Sequence, residues 1–301
     1  MRVLVVGCNG QLGHELRRLF ETGQAEIGPV PACYAGAEVE YVDIDALDIA
    51  HWVEVDAWFF SHEAYDLVIN CAAMTNVDGC EANFAAAFSA NALGPMNLAC
   101  ACERDGSVLV HVSTDYVFPG TDPSPRREDD VPAPISAYGR SKLAGEGLAL
   151  AANERTFVVR TAWLYGYVGR NFVKTMRALG QKHDVVTVVD DQLGNPTSAN
   201  DLAYEILRIA ETEDYGIYHA TNEGTCSWAD FAEAIMRGFG LDCRVERLTS
   251  DDWKRMHPES ASRPAFSSLE NARLAETVGN EMRPWQEALS TYLANYDALA
   301  N

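Results

Sequence analysis

The sequence is poor in positive charge. Across 301 residues, 23 Lys and Arg stand against 44 Asp and Glu, for a formal net charge of −21. A surface of that sign repels nucleic acid and anionic lipid, so neither is expected as a partner. An anionic nucleotide meets the same repulsion, so a site for one must be locally positive or built from backbone N–H groups. Otherwise, acidity of this kind serves solubility. Long apolar runs are also missing. The N-terminus has only Val3 to Val6 before Gly7, too short for a signal peptide or a membrane span. These two absences lead us to expect a cytoplasmic protein. There are eight Cys but no CxxC pair, and Cys100 and Cys102 lie in an Ala-rich helical run that suits zinc poorly. In a chain this long they read as reduced, mostly buried thiols. The seven His show no ligand spacing. There is no internal repeat and no low-complexity tract.

What is present is globular. Apolar residues make up 48% and charged residues 22%, and the length suits one large or two modest domains. Val3 to Val6 reads as a strand buried on both faces, and Gln11 to Phe20 has helical apolar spacing at Leu12, Leu16, Leu19 and Phe20. The alternation recurs. Strands are expected at Val39–Asp43, Leu67–Cys71, Val108–Val112 and Phe157–Arg160. Helices are expected at His51–Phe60, Phe84–Cys102 and residues 137–152. Strands alternating with helices give an α/β fold, a doubly wound parallel sheet with helices on both faces. Gly120 to Pro134 holds four prolines and reads as a long loop. Beyond Arg160 the pattern loosens. We expect residues 1–162 to form a nucleotide-binding domain that recovers a strand and helix near 185–210. Residues 163–301 would form mainly a smaller substrate lobe, with a further helix at Trp228–Phe239.

Residues 7 to 13 read Gly-Cys-Asn-Gly-Gln-Leu-Gly, between a buried strand and a helix. Gly7 permits the tight turn, Gly10 lets a pyrophosphate approach the backbone, and Gly13 lets the helix pack close. The first helical turn then offers unpaired N–H groups to phosphate. This is the dinucleotide-binding arrangement of a Rossmann-like fold, in the GxxGxxG spacing of extended short-chain reductases. Asp43, at the end of the second strand, can bind adenosine ribose hydroxyls and disfavours a 2′-phosphate. NADH and NADPH both stay open. Small residues after the next strand, in Asn70-Cys71-Ala72-Ala73-Met74-Thr75, allow close approach to the cofactor. Asn91 on the following helix is placed to bridge backbone groups through water, or else to lie on the helix surface.

Thr114 and Asp115 follow the strand ending at Val112, where polar residues point into the ligand crevice. Tyr138 and Lys142 stand at i and i+4, on one helix face. A free tyrosine titrates near pH 10, and a neighbouring ammonium is expected to lower that value. A tyrosine so tuned gives a proton to a carbonyl oxygen as hydride reaches its carbon. Lys142 also reaches the nicotinamide ribose, and Thr114 orients the same substrate oxygen. A lone YxxxK is usually just an exposed helix; here the strand, the glycine turn and Thr114 all occur in compatible order.

Taken together, GCNGQLG, NCAAMTNVD, STDYVFPG, YGRSKLAGE, RTAWLYG, NFVKTM and VVDDQLGNPTSANDLA resemble the dTDP-4-dehydrorhamnose reductase family, in order from residue 1 to about 290. The resemblance implies reduction by NADPH or NADH of the C4 keto group of a dTDP-linked 4-keto-6-deoxy sugar. It implies Tyr138 as proton donor, with Lys142 and Thr114 as its partners. It places Gly10, Gln11, Leu12, Asp43, Asp48, Ile49, Ala73, Met74 and Thr75 near the cofactor. Thr114, Asp115 and Trp163 would meet the sugar, with Arg263 and more weakly Asn171 toward the nucleotide diphosphate. Simpler roles for these three are core packing for Trp163, a surface ion pair for Arg263 and a turn cap for Asn171. Some members bind magnesium near Glu15 at a dimer interface, but one carboxylate is not a magnesium site, so no metal is assigned. A monomer or a homodimer is expected. Two departures stand out: residues 23–37 look like an insertion ahead of the ribose contact, and Met74 stands where many members have His. The rival readings are a reductase or epimerase of another nucleotide sugar, and a non-catalytic NADP-binding regulatory subunit like that of methionine adenosyltransferase.

Overall fold

The structure is a computed structural model and describes residues 1–300. Five of the strands are β1 (Arg2–Val6), β2 (Glu38–Val42), β3 (Leu67–Asn70), β4 (Val108–Thr114) and β5 (Thr156–Thr161). With Gly216–His219 they make one six-stranded sheet, in the order Gly216–His219, β5, β4, β3, β1, β2. Every pairing in it is parallel. The chain leaves β1 toward β2 on one side and returns to β3 on the other. The carboxyl ends of β1 and β3 therefore border the crevice where such sheets bind ligands.

Both faces of the sheet are covered, which is why β1 and β3 are almost purely aliphatic. Alternate residues of β1 point to opposite faces. Val3 and Val5 join Leu16, Leu19, Leu202 and Ile206 on one side. Leu4 and Val6 join Val55, Leu98 and Ala149 on the other. The first face carries α1 (Gln11–Thr22) and the helix Ala199–Ile209; the second carries Trp52–Ser61, Gly94–Asp105 and Ala137–Ala152. The Ala-rich helical stretch is interrupted by a π turn at Ser89–Leu93, which holds Asn91.

One expectation needs correction. Val185–Val189 is a strand, but it pairs in parallel with Arg244–Leu248 and does not join the main sheet. Its alternating burial, with Val186 and Val188 inward, suits a sheet covered on one face. The sixth position of the main sheet goes to Gly216–His219, beside β5. The helix Ala199–Ile209 does return to the main sheet, packing on α1. Around Tyr165, Val173, Phe231, Trp285 and Tyr292 lies a second apolar core, that of the smaller C-terminal lobe.

Beneath the carboxyl end of β4, Glu146 and Arg160 form a buried pair, each side chain 2% exposed. Two bonds join them: Arg160 Nη2 donates to Glu146 Oε2 at 2.7 Å and Nε to Oε1 at 3.0 Å. Replacing Glu146 by Ala leaves a buried guanidinium without its counter-ion. We predict a loss of about 3–5 kcal/mol, read as a lower midpoint of urea unfolding with the slope unchanged.

Candidate active site

The phosphate turn is shaped by steric constraint. Gly7 has φ +77°, and a Cβ there would stand 2.6 Å from the Ala72 backbone nitrogen. At Gly13 a Cβ would meet the Gly7 carbonyl oxygen at 2.6 Å. Only glycine allows these approaches. Gly10 is the N-cap of α1 and provides no side-chain cap. The first N–H groups of the helix are thus left to a ligand.

Asp43 directly follows β2. Its carboxylate accepts hydrogen bonds from the N–H groups of Asn9, at 2.9 Å, and Ile44, at 2.8 Å. The segment 23–37 does not displace it. Tyr34 Oη donates to the Leu207 carbonyl, and Glu26 N–H donates to Asn200 Oδ1, so the segment lies against the helix Ala199–Ile209.

Two cavities run along the carboxyl edge of the sheet. The first, about 630 Å³, is lined by Gly7, Gly10, Asp43, Asp48, Ile49, Ala73 and Met74. The second, about 500 Å³, is lined by Gln11, Leu12, Thr75, Thr114, Asp115, Tyr138, Lys142 and Trp163. Gly10, Cys71 and Ala73 border both, so the two are halves of one groove.

Tyr138 and Lys142 sit on the helix Ala137–Ala152. Ser136 caps it, accepting from Gly139 N–H at 3.1 Å, and Glu81 accepts from Ala137 N–H at 2.6 Å. Lys142 is 2% exposed, and its ammonium donates to the Val112 carbonyl at 2.7 Å. Burial lowers its pKa to about 8. Thr114 Oγ1 donates to Asp115 Oδ1 at 2.8 Å, accepts from Tyr116 N–H at 3.2 Å, and also hydrogen bonds with the Tyr138 phenol. The expected lowering of the tyrosine pKa is not found. Burial pushes the Tyr138 phenol well above the ordinary tyrosine value, against the Thr114 hydrogen bond that lowers it and with Asp115 adding to the rise; the Lys142 ammonium is directed to the Val112 carbonyl. Tyr138 is therefore a neutral, proton-bearing phenol. Burial also raises Asp115 to about 7, against hydrogen bonds from Ser267 and Thr114 that lower it.

Asn91 is fully buried and bonds directly to its neighbours. Its Oδ1 accepts from Met74 N–H at 2.7 Å, and its Nδ2 donates to the Met74 carbonyl and to Ser141 Oγ, each at 3.0 Å. It ties the loop after β3 to the Tyr138 helix. Met74 packs beside Tyr138 and Cys80.

The model of the RmlD substrate binding domain matches residues 1–298. A dTDP-4-dehydrorhamnose reductase of Mycobacterium tuberculosis is 40% identical over 301 aligned residues, covering 97% of this chain and 92% of that protein. A crystal structure of a dTDP-4-dehydrorhamnose reductase from Clostridium acetobutylicum superposes with a TM-score of 0.91 at 41% identity, covering 99% of this chain and 100% of that one. The Bacillus anthracis reductase, solved in complex with NADP, gives 0.89 at 35% identity, covering 98% and 99%. The chain belongs to the dTDP-4-dehydrorhamnose reductase family.

The groove fits the dinucleotide that the family fold implies. The N–H groups of the turn itself are used within the fold, but the start of α1 is left uncapped, Asp43 borders the groove where β2 ends, and Ala72 and Ala73 line it with small side chains. Other family expectations land differently. Trp163 borders the second cavity with φ +46°, a strained value for a non-glycine residue, and stacks on Trp228 at 3.5 Å. One of its faces is thus already covered. Asn171 is the N-cap of Phe172–Gly180; it accepts from Lys174 N–H and donates to Gln11 Oε1 and the Gly166 carbonyl. Arg263 pairs with Asp78 at 3.3 Å. Neither borders the two cavities. Glu15 is engaged by Arg18 and Asn200, and no group of three or more candidate metal ligands occurs among the described residues. No helix among the described residues is long and apolar enough to cross a membrane.

Sequence reasoning missed Arg170 in the cavity wall. Arg170 had a signal: it is a cation beside Gly169 in a strongly acidic chain. Asn91→Ala removes the tie between the Met74 loop and the Tyr138 helix. We predict a loss of about 1–3 kcal/mol in thermal unfolding, together with weaker NADPH binding by fluorescence titration.

Proposed function

We propose that this chain reduces the C4 keto group of dTDP-4-dehydro-6-deoxy-L-mannose with NADPH or NADH, giving dTDP-L-rhamnose. The observation that carries the reading is the meeting of Thr114, Tyr138 and Lys142 on the same groove as the glycine turn. Membership of the reductase family supports the choice of sugar.

When bound, the nicotinamide supplies a hydride to the carbonyl carbon. The chain's own residues manage the proton. Tyr138, kept neutral by burial, gives the phenolic proton to the keto oxygen. Thr114 shares a hydrogen bond with Tyr138 and orients the same oxygen, turning its own proton from Asp115 toward the substrate. Lys142 holds positive charge beside the site as the phenolate forms, and binds the nicotinamide ribose. Asp43 takes the adenosine ribose hydroxyls. Trp163 offers its open side to the 6-deoxy sugar, and Asp115 meets the sugar hydroxyls. Arg263 would have to leave Asp78 to reach a diphosphate, and Asn171 would have to give up its cap. Arg170 in the cavity wall is the better-placed cation for that charge.

Purified protein mixed with NADPH and the dTDP-4-keto sugar made in situ should oxidise the cofactor and form dTDP-L-rhamnose. Turnover only with another nucleotide sugar would give the site to that sugar. Cofactor binding without turnover on any such sugar, together with tight binding to another enzyme, would favour a regulatory subunit. Tyr138→Phe should lose about 10²–10⁴-fold in kcat while still binding NADPH; near-normal turnover would remove Tyr138 as the acid. The pH profile has a predicted sign. Lys142 is an ammonium below its pKa of about 8 and an amine above it. Activity should therefore fall as pH rises through about 8, measured as kcat in overlapping buffers.

A further inference from the structure

His111 is fully buried in the middle of β4, one residue before the carbonyl that binds Lys142. The proposed reaction makes no use of it. Its hydrogen bonds fix its chemistry. The Ala72 N–H can only donate, and it meets Asn70 Oδ1 at 3.1 Å. Asn70 must therefore turn its Nδ2 donor to His111 Nδ1, which lies 3.1 Å away. Burial, and then the charge of Lys142, push His111 well below the ordinary histidine value, so the ring is neutral. A neutral ring that accepts at Nδ1 carries its proton at Nε2. That Nε2–H faces Lys142 Nζ at 3.4 Å. An ammonium would set donor against donor. An amine, with a lone pair, matches.

We propose that His111, locked by Asn70 in its Nε2–H tautomer, is a positioning residue that loosens Lys142's hold on its proton, so that the lysine re-protonates Tyr138 after each reduction. This rests on the reductase reading above. The step balances. The phenolate left after proton transfer to the sugar oxygen takes a proton from a water in the groove that both residues line, and the ammonium gives a proton to the hydroxide so formed. The resulting amine accepts from His111 Nε2–H, and water entering the groove returns the proton to Lys142. A donor whose pKa lies near the working pH is suited to such a transfer.

Burial already makes the lysine's proton easier to lose, and none of the other groups facing Lys142 adds to that. Glu146, one turn on along its helix, favours the charged lysine, as does a charged Cys71 at the end of β3. Arg160, from β5, is already paired with Glu146. Tyr138 is a neutral phenol. His111 is the polar group whose orientation opposes the ammonium.

The first test needs no substrate. In protein labelled with ¹⁵N-histidine, with His111 assigned by its loss in His111→Phe, the ring nitrogens should report a proton on Nε2 and a bare Nδ1. A proton on Nδ1, or an imidazolium, overturns the proposal. Next, the Lys142 side chain is titrated by NMR in the protein alone. In His111→Phe, which keeps an aromatic ring but loses the donor, its midpoint should rise by roughly one pH unit. The alkaline limb of kcat with NADPH and the keto sugar should move the same way. A variant that is merely less stable, with both titrations unmoved, overturns the proposal. If His111→Phe does not fold, the tautomer in the unaltered protein still decides, with the assignment taken from sequential backbone resonances. If no sugar is reduced at all, the reductase reading fails while both NMR results stand on their own.

Discussion

The site depends on how closely one helix lies against the sheet and its neighbour. Ala137–Ala152 approaches the π turn so tightly that a methyl group on Gly145 would overlap the Asn91 carbonyl oxygen. At the other end, a methyl group on Gly139 would overlap the Tyr116 carbonyl oxygen. That closeness takes Lys142 out of water and sets it on the Val112 carbonyl. It also brings Tyr138 to Thr114 and lets Asn91 span from Met74 to Ser141. A helix displaced outward would leave an ordinary solvated lysine and a phenol with no partner. Burial lowers the lysine and raises the tyrosine together, so their matched protonation states follow from one packing decision.

Close packing also decides how an acidic chain can receive an anionic cofactor. The net charge of −21 opposes it at long range. The groove answers with backbone dipoles, because the bare Gly10 cap leaves N–H groups at the start of α1, and the helix field falls off within about a turn. Carboxylates that might spoil this local field are engaged. Asp43 is held by Asn9 and Ile44 N–H groups, Glu15 by Arg18 and Asn200, and Glu146 by Arg160. Asp115, in the wall of the second cavity, is engaged by Thr114 and Ser267, yet burial outweighs them and raises it. With a pKa of about 7 it is poised between charged and neutral where the substrate would lie.

Much of this was legible in the sequence because parallel strands buried on both faces write themselves as unbroken aliphatic runs. Val3–Val6 and Leu67–Ile69 need no alternation to be seen, and the glycines between β1 and α1 have no cheaper explanation. Tyr138 and Lys142 were legible because helical spacing fixes their common face. What escaped was set by tertiary contact. Val185–Val189 has the composition of a core strand, yet its partner is Arg244–Leu248, and nothing local distinguishes the two outcomes. Gly216–His219 is four residues long and opens with glycine, a weak strand signal overridden by its place beside β5. The tyrosine's shift was expected with the wrong sign because spacing reveals that a lysine is near, but not how deeply the phenol is buried, and burial is what raises it. Asn91 looked like a surface residue or a water bridge because a π turn, invisible in composition, rotates it inward.

The two ends of the groove differ in how they are built, and this bears on where specificity lies. The cofactor half is made by stretches close to β1 and β3, residues 6–51 and 71–90, whose geometry follows from the sheet itself. The other half also needs Thr161 to Arg170, where the chain leaves β5 for the smaller lobe. There Trp163 adopts a backbone conformation that costs about 1–3 kcal/mol, and it is held by the stack on Trp228 and by close contact with Gly194. A strained residue persists only where its surroundings over-determine it. Trp163 is therefore held in the cavity wall by the smaller lobe's packing, whereas Thr114, Tyr138 and Lys142 are held there by the sheet and the helix packed on it.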